Sequence, residues 1–332
     1  MKNIKVGVIG VGYLGQFHAE KYAHNPEVEL VGISDADPAR GEQIAQKLGT
    51  KCYADHSHLI GQVDALSIVV PTIHHYRVAK DCLEHGIHLL VEKPITATLV
   101  QADELIDLAA KNGLVLQIGH IERFNPAVTA IKPRLQKPGY VTAERSAPFT
   151  IRCTDVNVVL DLMIHDLDMV MDLAGSAPKE VSASGASVVT KEIDIATARI
   201  VFTNGCVADV TASRVSSEEK KRVLRVFDGD ALYTSDYQTQ KAVLSRRGAG
   251  PVPGFAHTDI STERRDTLND EITDFVRCVR DKARPKVSGT EGRNALALAY
   301  TITENIENGI SGFVPITMSE KGVFHVSTHG RP

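Results

Sequence analysis

No run of 18 or more consecutive apolar residues occurs in the 332-residue sequence, so it offers no candidate for a membrane-spanning helix. Basic residues are not in excess. Lys and Arg number 37 against 41 Asp and Glu, a net charge of −4, which gives no support to a nucleic-acid or anionic-membrane partner. The five cysteines, Cys52, Cys82, Cys153, Cys206 and Cys278, are odd in number and contain no CxxC pair. That fits free thiols in a reducing, cytoplasmic setting, with no zinc site. His56, His58, His257, His325 and His329 have no ligand-like spacing with carboxylates, so no metal is expected. The opening MKNIKVGVIGVG places Lys2 and Lys5 before an apolar run but lacks the long hydrophobic region of a signal peptide. Repeats and low-complexity tracts are absent. What is left is an ordinary soluble composition, 43% hydrophobic and 23% charged, over a length that suits two domains.

The first third alternates short apolar runs with helical patterns. Ile4 to Ile9, Val28 to Ser34, "ALSIVVP" and "HLLVEKP" read as strands, with helices from Leu14 to His24, Pro38 to Leu48 and His74 to His85. Such alternation implies parallel pairing with right-handed crossovers, a doubly wound α/β (Rossmann) sheet. After about Gly119 the rhythm changes. Asp194 to Phe202 and Cys206 to Val215, joined at Thr203, Asn204 and Gly205, read as an antiparallel hairpin. Tyr140 to Ile151, Val181 to Val189, Arg222 to Phe227 and Ala231 to Tyr237 are further strand candidates. "RRGAGPVPGFAH" reads as an exposed loop, and helices return over Asp266 to Lys282 and Glu291 to Asn308. The expected organisation is a dinucleotide-binding domain over 1–122 and, over 123–332, an α+β substrate-binding and oligomerisation domain with a mostly antiparallel sheet. An unusually apolar open face on that sheet is expected to join copies of the chain into a homodimer or homotetramer.

"GVGYLG" places Gly10, Gly12 and Gly15 directly after a strand and at the opening of a helix. That is the context a dinucleotide needs: a tight turn, close backbone approach to the pyrophosphate, and helix amides facing the anion. Asp35 ends the second strand, 20 residues beyond Gly15, where it would accept the adenosine ribose hydroxyls and disfavour a 2′-phosphate. The expectation is NAD, with Arg40 nearby as the one feature that points the other way.

A second signal is "VVLDLMIHDLDMVMDLAG", Val158 to Gly175. At about 100° per residue, Asp161, His165, Asp168 and Asp172 share an arc of roughly 60° on an otherwise apolar helix. So narrow a stripe suits a surface facing a cavity. Lys93, in "VEKPIT", sits at the carboxyl end of the fourth strand, the side on which open α/β sheets bind ligands. Pro94 holds it in extended conformations. Oxidising a secondary alcohol needs a hydride acceptor and a group to take the hydroxyl proton. Either His165 or Lys93 could be that base. His165 needs little tuning, its ordinary pKa being about 6.5, whereas Lys93 must be depressed from about 10.4. The favoured division has His165 as acid/base, Lys93 polarising the reacting oxygen, and Asp161 orienting His165 or binding a neighbouring hydroxyl.

Four motifs in order, "GVGYLG", "PTIHH" (Pro71 to His75), "EKP" (Glu92 to Pro94) and "DLMIHDLD" (Asp161 to Asp168), resemble the glucose-fructose oxidoreductase, inositol dehydrogenase and MocA family from about Ile4 to Gly312. The resemblance implies an NAD-dependent dehydrogenase in which Lys93, Asp161 and His165 line the substrate pocket beside the nicotinamide. Tyr13, Leu14, Pro71, Thr72, His75, Glu92 and Lys93 join the glycines and Asp35 at the cofactor. Val158, Val159 and Met163 stand where many relatives carry glycine. "GHIERFNPAV" and "DVNVVLDLMIHDLD" resemble the branch acting on nucleotide sugars. That implies oxidation of UDP-N-acetylglucosamine at C3, a reaction associated with lipid A assembly. A sugar diphosphate needs cationic anchors, and Arg123 and Arg152, then Arg145 and Arg214, are the candidates. The alternatives are a dehydrogenase of a free sugar or inositol, and a non-catalytic NAD-sensing protein of the same fold.

Overall fold

The computed structural model describes residues 3–150, 156–216, 220–248, 254–310, 312–319 and 322–326. The chain divides into two compact units, Met1–Ile121 with Asp266–Arg293, and Glu122–Arg265 with Asn294–Pro332. The first unit is therefore discontinuous, where a single cut after residue 122 is expected from the sequence.

Six parallel strands build the first unit: β1 (Ile4–Ile9), β2 (Val28–Ser34), β3 (Lys51–Tyr53), β4 (Ala65–Ile68), β5 (His88–Glu92) and β6 (Leu116–Gly119), in the order β3-β2-β1-β4-β5-β6. Helices α1 (Gly15–Ala23), α2 (Pro38–Leu48), α3 (Thr72–Glu84) and α4 (Leu99–Lys111) connect them. Strands covered by helices on both faces read as continuous apolar runs, as in "IKVGVI", where Val6 and Val8 are fully buried. Local chemistry explains the boundaries of α2. The Asp37 side chain accepts from the amides of Ala39 and Arg40, Pro38 occupies the first turn, and Gly49 closes the helix at φ 66°. Two strands escape the sequence pattern, β3 and β6, which are three and four residues long.

The second unit holds a ten-stranded sheet: β7 (Pro138–Ser146), β8 (Pro178–Ala186), β9 (Ile195–Phe202), β10 (Val207–Ser213), β11 (Lys221–Asp228), β12 (Ala231–Asp236), β13 (Lys241–Arg247), β14 (Phe255–Asp259), β15 (Val314–Met318) and β16 (Phe324–Val326). Its order is β14-β13-β12-β11-β7-β10-β9-β8-β15-β16, antiparallel except where β10 pairs with β7. The β9–β10 hairpin turns at the expected place, with Gly205 at φ 86°. The two ends of the stretch read as a loop, Arg246 to His257, belong to strands β13 and β14, which pair through Arg247 and Phe255, while residues 249–253 lie outside the described residues. Every residue of β14 is exposed, so no apolar alternation marks it, and ladder pairing forms the strand. Helix α5 (Pro126–Ile131), a π turn (Val159–Met163) and helix α6 (Ile164–Ala174) also belong to this unit, with α6 packed on β7 and β10.

The open face of this sheet, most of which is expected from the sequence to be unusually apolar, carries apolar and polar rows side by side. One cross-strand row, Val201, Val207, Tyr140, Phe227 and Leu232, is apolar; the next, Arg199, Asp209, Thr142, Arg225 and Thr234, is polar throughout. Arg199 donates to Asp209 from Nε and Nη2 at 2.7 and 2.6 Å.

The chain then returns to the first unit as α7 (Thr267–Asp281), followed by α8 (Gly289–Glu307). Ile272, Phe275, Val276 and Val279 follow helical spacing on α7 and join the buried cluster of Val6, Val8, Tyr22 and Ile33.

Candidate active site

Strand order in the first unit reverses between β1 and β4, and ligands of open α/β sheets bind in the crevice at such a point. Two helices start there, α1 after β1 and α3 after β4, and neither N-terminus is capped by a side chain. By contrast α2, α4 and α7 are capped by Asp37, Thr98 and Asp266. Helix starts without caps leave amides and the positive end of the dipole for an anion.

The glycine turn has the shape this requires. Gly10 adopts φ 85°, and its amide donates to the Ser34 carbonyl at 2.7 Å. A Cβ on Gly15 would lie 1.8 Å from the Gly10 carbonyl oxygen, so α1 can begin this close to β1 only without a side chain. At Gly12 a Cβ would meet nothing within 4 Å, which leaves the approach to the turn open to a pyrophosphate. Gly10, Gly12, Asp35 and Pro71 line a cleft of about 320 Å³ together with Arg40, His56, His74 and Arg77. His74 and Arg77 escaped the sequence reading; their signal was two polar side chains three apart on the helix that starts in the crevice. Tyr13 and Leu14 are exposed, whereas Gly15 is buried under the turn.

Asp35 lies where expected, but its carboxylate is already engaged. It accepts from the Val11 and Asp37 amides, both at 2.8 Å, and from Arg40 through Nε at 3.2 Å and Nη2 at 2.6 Å. Burial alone would raise the Asp35 pKa; Arg40 and the two amides outweigh it and hold the carboxyl below the usual range. The side chain of Arg40 is 46% exposed against 3% for Asp35. Arg40 is thus the member of the pair that faces incoming ligand, and ribose hydroxyls must share Asp35 with it.

Two residues expected at the cofactor, His75 and Glu92, also hydrogen-bond within the unit. His75 is 1% exposed, with Nδ1 2.9 Å from the Pro94 carbonyl and Nε2 2.8 Å from the Val70 carbonyl. It ties the turn after β4 to the turn after β5; a neutral ring donates to one of these oxygens, a protonated ring to both. Burial pushes its pKa down. The Glu92 carboxylate meets His18 Nε2 at 3.2 Å and accepts from the Lys93 amide at 3.2 Å, inside the unit. Lys93 is half-buried at the end of β5 and is followed by a cis peptide to Pro94; Thr72 opens α3.

In the second unit the polar stripe divides. Asp161 sits within the π turn, where the Ile164 amide reaches back five residues to the Val159 carbonyl. The backbone between Asp161 and His165 therefore departs from the regular α-helical step on which the arc is reckoned. Both side chains are half-buried. Asn157 starts the turn, its side chain accepting from the Leu160 amide at 3.0 Å. Inserted π turns recur at functional sites. Asp168 and Asp172 face Arg123, whose Nε and Nη2 donate to the two Asp168 carboxylate oxygens at 2.6 and 2.7 Å and whose Nη1 meets Asp172.

Arg123, expected as a substrate anchor, is thus engaged within the unit. Its side chain is 6% exposed, and its fork is directed at two aspartates of the same unit. Arg145 is similarly held, by Asp166 at 2.7 Å and Glu122 at 3.0 Å, and Arg214 by Asp194 at 2.8 Å. Arg152 lies outside the described residues. No group of three or more His, Cys, Asp or Glu side chains suited to a metal ion occurs among the described residues, and no helix among them is long and apolar enough to cross a membrane.

A doubly wound sheet with this glycine turn and uncapped crevice defines the first unit as the NAD-binding domain of an oxidoreductase. The chain belongs to the GFO/IDH/MocA oxidoreductase family: residues 4–120 match its NAD-binding Rossmann domain and 137–229 its C-terminal domain. It is 39% identical over 311 residues to UDP-N-acetylglucosamine 3-dehydrogenase of Acidithiobacillus ferrooxidans, covering 92% of this chain and 98% of that one. A solved structure of that enzyme superposes with a TM-score of 0.89 at 38% identity, over 93% of this chain and 99% of that one. Myo-inositol 2-dehydrogenase of Thermotoga maritima is 29% identical over 323 residues, 92% of this chain and 96% of its own. The chain is accordingly an NAD-dependent dehydrogenase acting on a CH–OH group.

Proposed function

We propose that this enzyme oxidises the C3 hydroxyl of UDP-N-acetylglucosamine, giving a 3-keto nucleotide sugar for a later aminotransferase, as in lipid A assembly. The observation that carries this reading is the 39% identity to a 3-dehydrogenase of that nucleotide sugar, maintained over 98% of that protein's length. NAD, when bound, supplies the hydride acceptor. Lys93 donates a hydrogen bond to the reacting oxygen and polarises it. His165 takes the hydroxyl proton as general base. Asp161, four residues earlier across the π turn, orients the imidazole. Within this reading the enzyme is cytoplasmic and works as a homodimer or homotetramer, a state that light scattering measures.

A panel of substrates tests the proposal through NADH absorbance at 340 nm. UDP-N-acetylglucosamine is expected to reduce NAD at least tenfold faster, by kcat/KM, than glucose or myo-inositol. Preference for either free polyol would replace the nucleotide sugar with that class, and tight NAD binding without any turnover would indicate a sensor.

A further inference from the structure

An acid at the end of the second strand, the place of Asp35, is the group through which a Rossmann domain reads the adenosine ribose, accepting hydrogen bonds from its hydroxyls. A carboxylate offers about four lone-pair sites on its two oxygens. In Asp35 the protein itself supplies four donors. Oδ1 accepts from the Asp37 amide at 2.8 Å and from Arg40 Nη2 at 2.6 Å; Oδ2 accepts from the Val11 amide at 2.8 Å and from Arg40 Nε at 3.2 Å. The two amides belong to the glycine turn and to the start of α2, so the sites left for a ribose diol are those that Arg40 holds.

The position of Arg40 is built into α2. It lies in the first turn, where its amide donates to the Asp37 side chain. Gly41 seats that turn against the strand end: a Cβ there would lie 2.5 Å from Cys52 Sγ and 3.4 Å from Asp35 Cβ. Arg40 Nη1 is 3.5 Å from Asp37 Oδ2. A guanidinium has five N–H donors; Nε, Nη2 and Nη1 each turn one towards these two carboxylates, and two remain on the exposed side. Arg40 lines the cleft it shares with Gly12 and Arg77.

The two nicotinamide dinucleotides would meet this arrangement differently. The 2′-hydroxyl of NAD has a proton to donate and finds the acceptor sites of Asp35 filled. The 2′-phosphate of NADP brings acceptor oxygens and finds a guanidinium whose charge offsets that of Asp35. Guanidinium–phosphate hydrogen bonds are of the strong, charge-assisted kind.

We propose that Arg40 is a specificity-determining residue at the adenosine end of the cofactor site: it occupies Asp35 and presents its remaining donors to a 2′-phosphate, so that the enzyme binds NADP(H) as well as NAD(H). The inference goes beyond the proposed reaction and is independent of the sugar oxidised; its test contains no sugar.

Fluorescence titration with NADH and with NADPH gives the two Kd values directly. For the wild-type enzyme they are expected to lie within about tenfold of each other, and a larger gap in favour of NADH overturns the proposal. Arg40→Met keeps the apolar stem and removes the donors. It is expected to raise the ratio of the NADPH Kd to the NADH Kd by at least about tenfold, the loss of charge-assisted hydrogen bonds to the phosphate, with NADH binding unchanged or tighter once Asp35 is open to the ribose. A merely structural role for Arg40 would weaken both dinucleotides alike, and a ratio that rises by less than this overturns the proposal. Displacement of bound NADH from the wild-type enzyme requires no variant and decides the matter should Arg40→Met fail to fold. Adenosine 2′,5′-bisphosphate is expected to displace NADH at the same concentration as adenosine 5′-monophosphate or a lower one; a need for more of the bisphosphate overturns the proposal.

Discussion

His165→Asn lowers kcat by about 10² to 10⁴-fold, the usual contribution of a positioned acid/base group, while NADH binding, followed by fluorescence, stays close to wild type. Lys93→Met lowers kcat by about 10² to 10³-fold, as expected for loss of a donor aimed at an oxygen that gains charge during reaction. The two losses differ in their pH dependence. Without His165 the acidic limb of the kcat profile flattens, because the base whose deprotonation that limb reports is gone. Without Lys93 that limb remains. Near-normal turnover in Lys93→Met beside a dead His165→Asn would make the lysine dispensable and leave the imidazole to act alone.

Arg123→Met destabilises the protein by about 3–5 kcal/mol, because it strands a buried carboxylate without its partner. Asp168 is fully buried, and two donors of Arg123 satisfy its two oxygens. Asp172 also has Lys132, at 2.6 Å, and is less affected. Denaturant unfolding measures the loss, and kcat/KM of the folded fraction remains near wild type. A substrate-anchoring arginine would behave in the opposite way, raising KM with little change in stability. The double variant Arg123→Met with Asp168→Leu is expected to recover much of the loss, since replacing both members of a buried pair by apolar groups is often close to neutral.

These residues also mark how far the sequence could be read. The glycine turn, the Asp37–Pro38 start and Gly49 stop of α2, and the turn at Thr203 to Gly205 are local: each conformation is dictated by residues within a few positions. The polar stripe is different. Its four members were visible, but Arg123 is 45 residues away from Asp168, and only tertiary packing selects it. The arc itself assumed a regular α-helix, and the π turn at Val159–Met163, which holds Asp161 and ends before His165, departs from that geometry. Asp35 was found by spacing, yet the filling of its lone pairs by Arg40 depends on a side-chain conformation that spacing does not express. The spacing of Ile272, Phe275, Val276 and Val279 announced a buried face on α7, but no local signal says that this face returns to a core begun some 260 residues earlier, at Val6 and Val8.

The most direct measurement uses UDP-N-acetylglucosamine carrying deuterium at C3. Incubated with enzyme and NAD, it is expected to yield deuterated NADH, with a rate reduced relative to the unlabelled sugar if hydride transfer limits turnover. Unlabelled NADH from the labelled sugar would place the oxidation at another carbon, and no NADH from it, with rapid reduction by a free polyol, would contradict the account.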